Sequence, residues 1–282
     1  MEIYAVRING LNDPLGYLYD NIICSWKVRG TKGKKQINAS IKVALDPEFK
    51  NIIYVKSDSE LSSLGVTLEV DLAPTTRYYY FVEVTTDENE SVKSEIHWFE
   101  TAKRDDPWVA DWIGINNNED IHPEFLKEFE VKKDIKQARL YICGLGLFYV
   151  CINDVKVGDD YLAPFINDYL EHIQYCSYDV TGLLKQNNEM HVLLGKGWYM
   201  GRFDSGIPAD LSREFALIAE LHVEYRNGAK DVIKTDDTWK YQKSFHELTD
   251  IYDGEIQDFL QYSAKQRTLQ RARRTAWSSR KS

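Results

Sequence analysis

The run Lys196-Gly197-Trp198-Tyr199-Met200-Gly201-Arg202 is the stretch of this sequence best suited to hold a small polar ligand. Its glycines let backbone approach closely, and an indole face can stack on the apolar C–H face of a sugar. Trp198, Tyr199 and Arg202 are therefore the carbohydrate-binding candidates. The competing reading makes Trp198 core filler and pairs Arg202 with a nearby carboxylate. Chemistry beyond binding finds little to work with. The six histidines, His97, His122, His172, His191, His222 and His246, are scattered without metal-ligand spacing. Cys24, Cys143, Cys151 and Cys176 form no C-x-x-C pair and sit in apolar or strand-like runs, so they read as reduced core residues. Acidic residues are plentiful, but a carboxylate in a surface turn is normally solvated, and no pair stands out as catalytic.

The elements that must position such residues are strands. The 18 tyrosines and 7 tryptophans recur within short runs rich in Val, Ile and Thr, a composition that suits pleated, half-buried surfaces and points to an all-β protein. Its 282 residues suffice for two domains. A net charge of -9 argues against nucleic acid and anionic membrane, since binding a polyanion needs a concentrated basic surface. No apolar run approaches the ~20 residues of a bilayer span. The start Met1-Glu2-Ile3 lacks the basic and apolar segments of a secretory signal, so the expected location is cytoplasmic.

In the first domain, residues 1–103, strands are expected at 4–8, 22–28, 36–44, 52–55, 67–70, 78–85 and 96–100. Turns are expected at Asn9-Gly10, Arg29 to Gly33, Asp46-Pro47 and Asp87 to Asn89. Seven strands suit one sandwich, with Trp26 as a core plug. The series Leu72-x-Pro74-x-Thr76-x-Tyr78 before the alternating Tyr78, Tyr80, Val82, Val84 resembles the fibronectin type III pattern. That resemblance implies that Tyr78 packs in the core and hydrogen-bonds upstream backbone through its hydroxyl. Alternation sends Tyr79 to the opposite face, so the three tyrosines are core packing rather than a sugar-stacking platform.

The charged run Lys103-Arg104-Asp105-Asp106-Pro107 marks the boundary, and the second domain is expected at 104–262. Strands are expected at 108–115 and 125–131, with a polar loop at 116–120 between them. The strand 138–143 is followed by a Gly144-Leu145-Gly146 turn and its neighbour 147–152, then an Asn153-Asp154 turn. Asp179-Val180-Thr181-Gly182-Leu183-Leu184 reads as a capped helical turn before the strand 191–194. This order resembles the galactose-binding-like jelly roll.

A more specific resemblance lies in the succession Trp112-Ile113-Gly114, Gly144-Leu145-Gly146, Val157-Gly158-Asp159-Asp160-Tyr161-Leu162-Ala163-Pro164, Gly197-Trp198-Tyr199-x-Gly201-Arg202 and Ile251-Tyr252-Asp253-Gly254-Glu255 behind Trp98-Phe99-Glu100-Thr101. Together these resemble the N-terminal region of bacterial α-L-rhamnosidases of glycoside hydrolase family 78, with departures at Lys196 and Gln257. The resemblance implies two tandem β-sandwiches and a role attached to the hydrolysis of terminal α-L-rhamnosides. In that family an inverting helical barrel performs the chemistry, and its Asp-Cys-Pro-x-Arg-Glu-Arg type signature does not occur in this sequence. Inversion needs two carboxyls about 6.5–9.5 Å apart. The expectation is thus a non-catalytic N-terminal portion, no catalytic residue of its own, and the missing barrel as a partner.

A rhamnose-containing glycan is the other expected partner. Some relatives bind rhamnose with calcium, which takes several oxygen ligands, and the Asn153-Asp154 turn is the candidate for it; chance turns supply the same atoms. No other cofactor is expected. The alternatives are a freestanding rhamnose-binding module and a protein-interaction module. The tail 263–282, with Lys265, Arg267, Arg271, Arg273, Arg274, Arg280 and Lys281 and no acids, reads as a loose helix, disorder or non-native sequence.

Overall fold

The structure is a computed structural model that describes residues 1–115, 121–202, 214–260 and 269–275. The chain divides into two compact units, Met1–Pro107 and Trp108–Ser282, and both are sandwiches of mainly antiparallel strands.

In the first unit, Glu2–Ile8, Ile22–Arg29 and Val66–Leu68 form a three-stranded sheet. The facing sheet has the order Leu15–Tyr17, His97–Thr101, Arg77–Thr86, Gln36–Ala44, Ile52–Asp58, with Ser91–Lys93 paired to Arg77–Thr86. Period-two alternation along Arg77–Thr86 sends Tyr78, Tyr80, Val82 and Val84 into the core beside Trp26, Ile41, Val43 and Phe99. Tyr78 stacks on Phe99 with ring centroids 5.1 Å apart. Its hydroxyl accepts the Ala73 N–H at 2.7 Å, so this tyrosine takes the corner position that the fibronectin-like pattern implies. Two strands had no counterpart in the sequence reading. Leu15–Tyr17 and Ser91–Lys93 are three residues each, too short for alternation to register.

The second unit packs two larger sheets. One has the order Cys176–Asp179, Ile135–Leu145, Ala216–Tyr225, Ile113–Gly114, Arg273–Arg274, with Lys230–Lys234 paired to Ala216–Tyr225. The other runs Val155–Lys156, Leu147–Ile152, Asn187–Gly195, Pro123–Glu130, Lys240–Lys243, Gln270–Arg271. Phe125, Leu140, Ile142, Val150, Ile152, Val192, Leu194, Leu217, Trp239 and Tyr241 fill the space between them. Trp239 is sealed, and its indole N–H donates to the Lys234 carbonyl at 2.8 Å, which meets the cost of burying a polar atom. Among the described residues no helix is long and apolar enough to cross a membrane.

Two local expectations are corrected. The strands on either side of Gly146 do not pair as neighbours, because Ile135–Leu145 and Leu147–Ile152 lie in opposite sheets. Gly146, at φ +112°, carries the chain from one sheet to the other, and a Cβ there would stand 2.3 Å from the Gly195 carbonyl oxygen. Only Ile113–Gly114 of the 108–115 run is strand. The polar loop expected at 116–120 lies outside the described residues.

The tail also differs from the loose arm its composition suggests. Gln270–Arg271 pairs with Lys240–Lys243, Arg273–Arg274 pairs with Ile113–Gly114, and Ala272 between them is buried. A segment rich in arginine still makes strand here because backbone bonding occupies the edges of both sheets, Arg271 and Arg274 stay exposed, and the Arg273 guanidinium donates to the Ile115 carbonyl. Arg273 meets Glu214, and Arg274 meets Asp111 at 3.2 Å. Lys265, Arg267, Arg280 and Lys281 lie outside the described residues.

Candidate functional site

The 196–202 segment follows the strand Asn187–Gly195 and makes one helical turn, Gly197–Met200. Its glycines are required by close packing. Gly197 sits at φ +52° and a Cβ there would fall 2.6 Å from Leu147 Cγ, while one on Gly201 would fall 2.5 Å from the Gly197 carbonyl oxygen. The turn is bolted to the hairpin formed by His246–Asp250 and Gly254–Gln257. The Lys196 amide donates to Thr249 Oγ1 at 2.9 Å, and the Arg202 amide donates to Asp250 Oδ2 at 2.8 Å. Amides of Tyr252, Arg202 and Asp253 all donate to Asp250, which holds its carboxyl below the usual carboxylate range.

The three carbohydrate candidates therefore separate. Tyr199 is buried against Leu145 and Ala216, its ring edge-on to Tyr169 at 5.0 Å. It has no surface to offer a sugar, because the turn points it inward. Arg202 is exposed, with its guanidinium 3.4 Å from the Asp253 carboxylate. Trp198 is half-buried. Only Trp198 and Arg202 reach solvent.

At the calcium candidate, Asn153 and Asp154 both take left-handed backbone, at φ 53° and 66°, as a tight turn between antiparallel strands requires. The Asn153 side chain is already committed. Its amide donates to the Leu183 carbonyl and to Asn188 Oδ1, each at 2.9 Å, and its oxygen accepts the Glu189 amide at 3.2 Å. Asn153 thus ties the turn to the 3₁₀ turn Thr181–Leu183 and to the strand Asn187–Gly195. Asp154 is exposed. Among the described residues no group of three or more His, Cys, Asp or Glu side chains is placed to hold a metal ion.

Asn153 and Asn188 also line an open groove of ≈ 500 Å³ with Glu128, Glu130 and Glu189. Glu128 and Glu189 are register partners on adjacent strands. All three carboxylates are exposed, Glu189 beside His191. They lack the water-excluding walls that would set one apart as a proton donor and the other as a base.

One polar cluster escaped the sequence reading. Glu124 is buried on the outer face of its sheet; its Oε1 lies 2.8 Å from His191 Nδ1, and Gln242 donates to its other oxygen. His191 Nε2 lies 3.0 Å from Glu189. The hydrogen bond to Glu124, reinforced by Glu189 and opposed by burial, raises the His191 pKa. No sequence spacing marks this cluster, since its members come from three strands. Their meeting depends on strand order.

The comparisons with known proteins agree with this architecture. Residues 133–281 match the family model "Alpha-L-rhamnosidase N-terminal domain", and residues 3–105 match "Rha78A-like, N-terminal immunoglobulin domain". An α-L-rhamnosidase of Formosa agariphila is 30% identical over 278 aligned residues, covering 88% of this chain and 29% of the relative. The crystal structure of native α-L-rhamnosidase from Aspergillus terreus superposes with a TM-score of 0.83 at 26% identity, over 97% of this chain and 34% of that one. The α-L-rhamnosidase from Dictyoglumus thermophilum gives 0.81 at 26% identity, over 98% and 34%. The chain spans about a third of the length of these proteins. With both sandwiches matched in order and the α-L-rhamnosidase N-terminal domain model covering more than half of the sequence, the chain belongs to the α-L-rhamnosidase family and corresponds to its N-terminal part.

Proposed function

We propose that this region is a non-catalytic scaffold of an α-L-rhamnosidase, serving the hydrolysis of terminal α-L-rhamnosides by supporting the part of such an enzyme that carries the reacting groups. The observation that carries this reading is the internal commitment of the side chains best suited to chemistry or binding. Tyr199 is core, Asn153 is a structural staple, and Glu124 is closed off by His191 and Gln242. The carboxylates that remain accessible in the groove are not set apart by burial. The test is release of p-nitrophenol from p-nitrophenyl α-L-rhamnoside by the purified 282-residue chain. The expected rate is that of buffer, and turnover that persists through repurification refutes the proposal.

A second reading, presentation of a rhamnose-containing glycan, rests on Trp198 and Arg202, which keep access to solvent in and just after the Gly197–Met200 turn. Calorimetry with L-rhamnose, with and without calcium, tests it. Heat that disappears in Trp198→Ala supports it, and no heat under either condition refutes it.

A further inference from the structure

The loop that follows Val155–Lys156 is held at two points. Ala163 bridges to Phe148, accepting its amide at 2.9 Å, and the buried Tyr169 packs on Tyr199 at 5.0 Å. Around these anchors, Tyr161, Leu162, Phe165, Ile166 and Leu170 face solvent, with Tyr161 at 77% and Phe165 at 73% exposure. The hairpin fixed to the same 196–202 turn through Thr249 and Asp250 adds exposed Tyr252 and Ile256. Five side chains of roughly 100 Å² each already reach the upper end of the ~300–600 Å² typical of a monomer's largest apolar patch. Tyr252 and Ile256, on the hairpin bolted to the turn that Tyr169 packs against, add about 200 Å² of exposed apolar surface.

We propose that this end of the second sandwich is the docking surface for the other two thirds of an α-L-rhamnosidase chain. Two observations select that occupant. The same fold recurs over 97–98% of this chain in solved rhamnosidases of which it covers only 34%, so such proteins carry this fold beside a larger body. A second copy of this chain is disfavoured by charge. Its net charge is -9, and the loop carries Asp159, Asp160, Asp168 and Glu171 beside its apolar residues, so a two-fold contact would set like charges together. The fitting partner surface is an apolar cleft with a basic rim. This proposal rests on the scaffold reading above.

The experiment mixes the 282-residue chain with the C-terminal two thirds of the Formosa agariphila α-L-rhamnosidase and follows association by sedimentation velocity and calorimetry. A 1:1 complex is expected. Phe165→Asp should weaken it by at least ~10-fold, whereas Leu64→Asp, at a residue 91% exposed in the first unit, should leave it unchanged. Near-UV circular dichroism of both variants checks that they fold. Three results overturn the proposal: no complex at ~100 µM of each component, equal effects of the two variants, or a homodimer of the chain that Phe165→Asp dissolves. None of these touches the hydrolysis assay, so failure of the docking surface and failure of the non-catalytic reading are told apart.

Discussion

Removing one hydroxyl by Tyr78→Phe tests whether the corner of the first sandwich is held as described. The ring keeps its place against Phe99, 5.1 Å away, so the only interaction deleted is the 2.7 Å bond from the Ala73 amide. Ala73 itself is exposed, and its freed N–H can turn to water. The cost is therefore the net worth of an ordinary hydrogen bond, about 0.5–1.5 kcal/mol, rather than the ~1–3 kcal/mol of a donor sealed without a partner. For a unit of this size about 1 kcal/mol lowers Tm by roughly 4–8 °C. Tyr78→Leu also removes the stacked ring and leaves a cavity, so its loss should be larger, on the order of 3 kcal/mol or more. The assay is urea unfolding of the full chain, with amide hydrogen exchange read at Ala73. Unchanged protection of the Ala73 amide in Tyr78→Phe, or equal losses for the Phe and Leu variants, would refute the assignment.

Three further outcomes are expected. Gly158→Ala places a methyl 2.4 Å from Tyr178 Cε1 at φ +69°, and should cost ~1–3 kcal/mol by strain and overpacking; a thermal midpoint within error of wild type would contradict the close approach. Asn153→Ala removes two donated bonds and one accepted bond and should destabilise by ~1–3 kcal/mol, while millimolar calcium should leave the wild-type midpoint in place; a calcium-induced rise that Asn153→Ala abolishes would instead support a metal site at this turn. The pH dependence of stability should carry two histidine contributions of opposite sign. His191, raised by Glu124 and Glu189, gives stability that is complete below the ordinary imidazole value of about 6.5 and fades as pH rises through its folded value. His246, lowered by burial against the opposing pull of Glu255, costs stability as pH falls below that same ordinary value. His191→Gln should flatten the first limb and His246→Gln the second, in denaturant midpoints measured between pH 5 and pH 8; a curve unchanged in either variant would sink the corresponding assignment.

Alternation, turn residues and motif order were enough to read this chain as two tandem sandwiches with Tyr78 and Trp26 in the core, because period-two burial and left-handed turns are written in local residue type. The same local information carried the Asn153-Asp154 turn, whose backbone has the positive φ values both residues tolerate. Other properties depend on which strands become neighbours. The chain crosses between sheets at Gly146, the arginine-rich strands join both sheets around a buried Ala272, and Glu124, His191 and Gln242 meet from three separate strands. The fate of the candidate ligands was settled at that level too. Whether Tyr199 faces a sugar or the core depends on the turn being pulled in by Leu147, Thr249 and Asp250, and those partners lie about fifty residues away on either side in the sequence. Side-chain type is local, but burial and pairing are set by distant segments, so the sequence determined the architecture and tertiary packing decided which polar groups remain free to act.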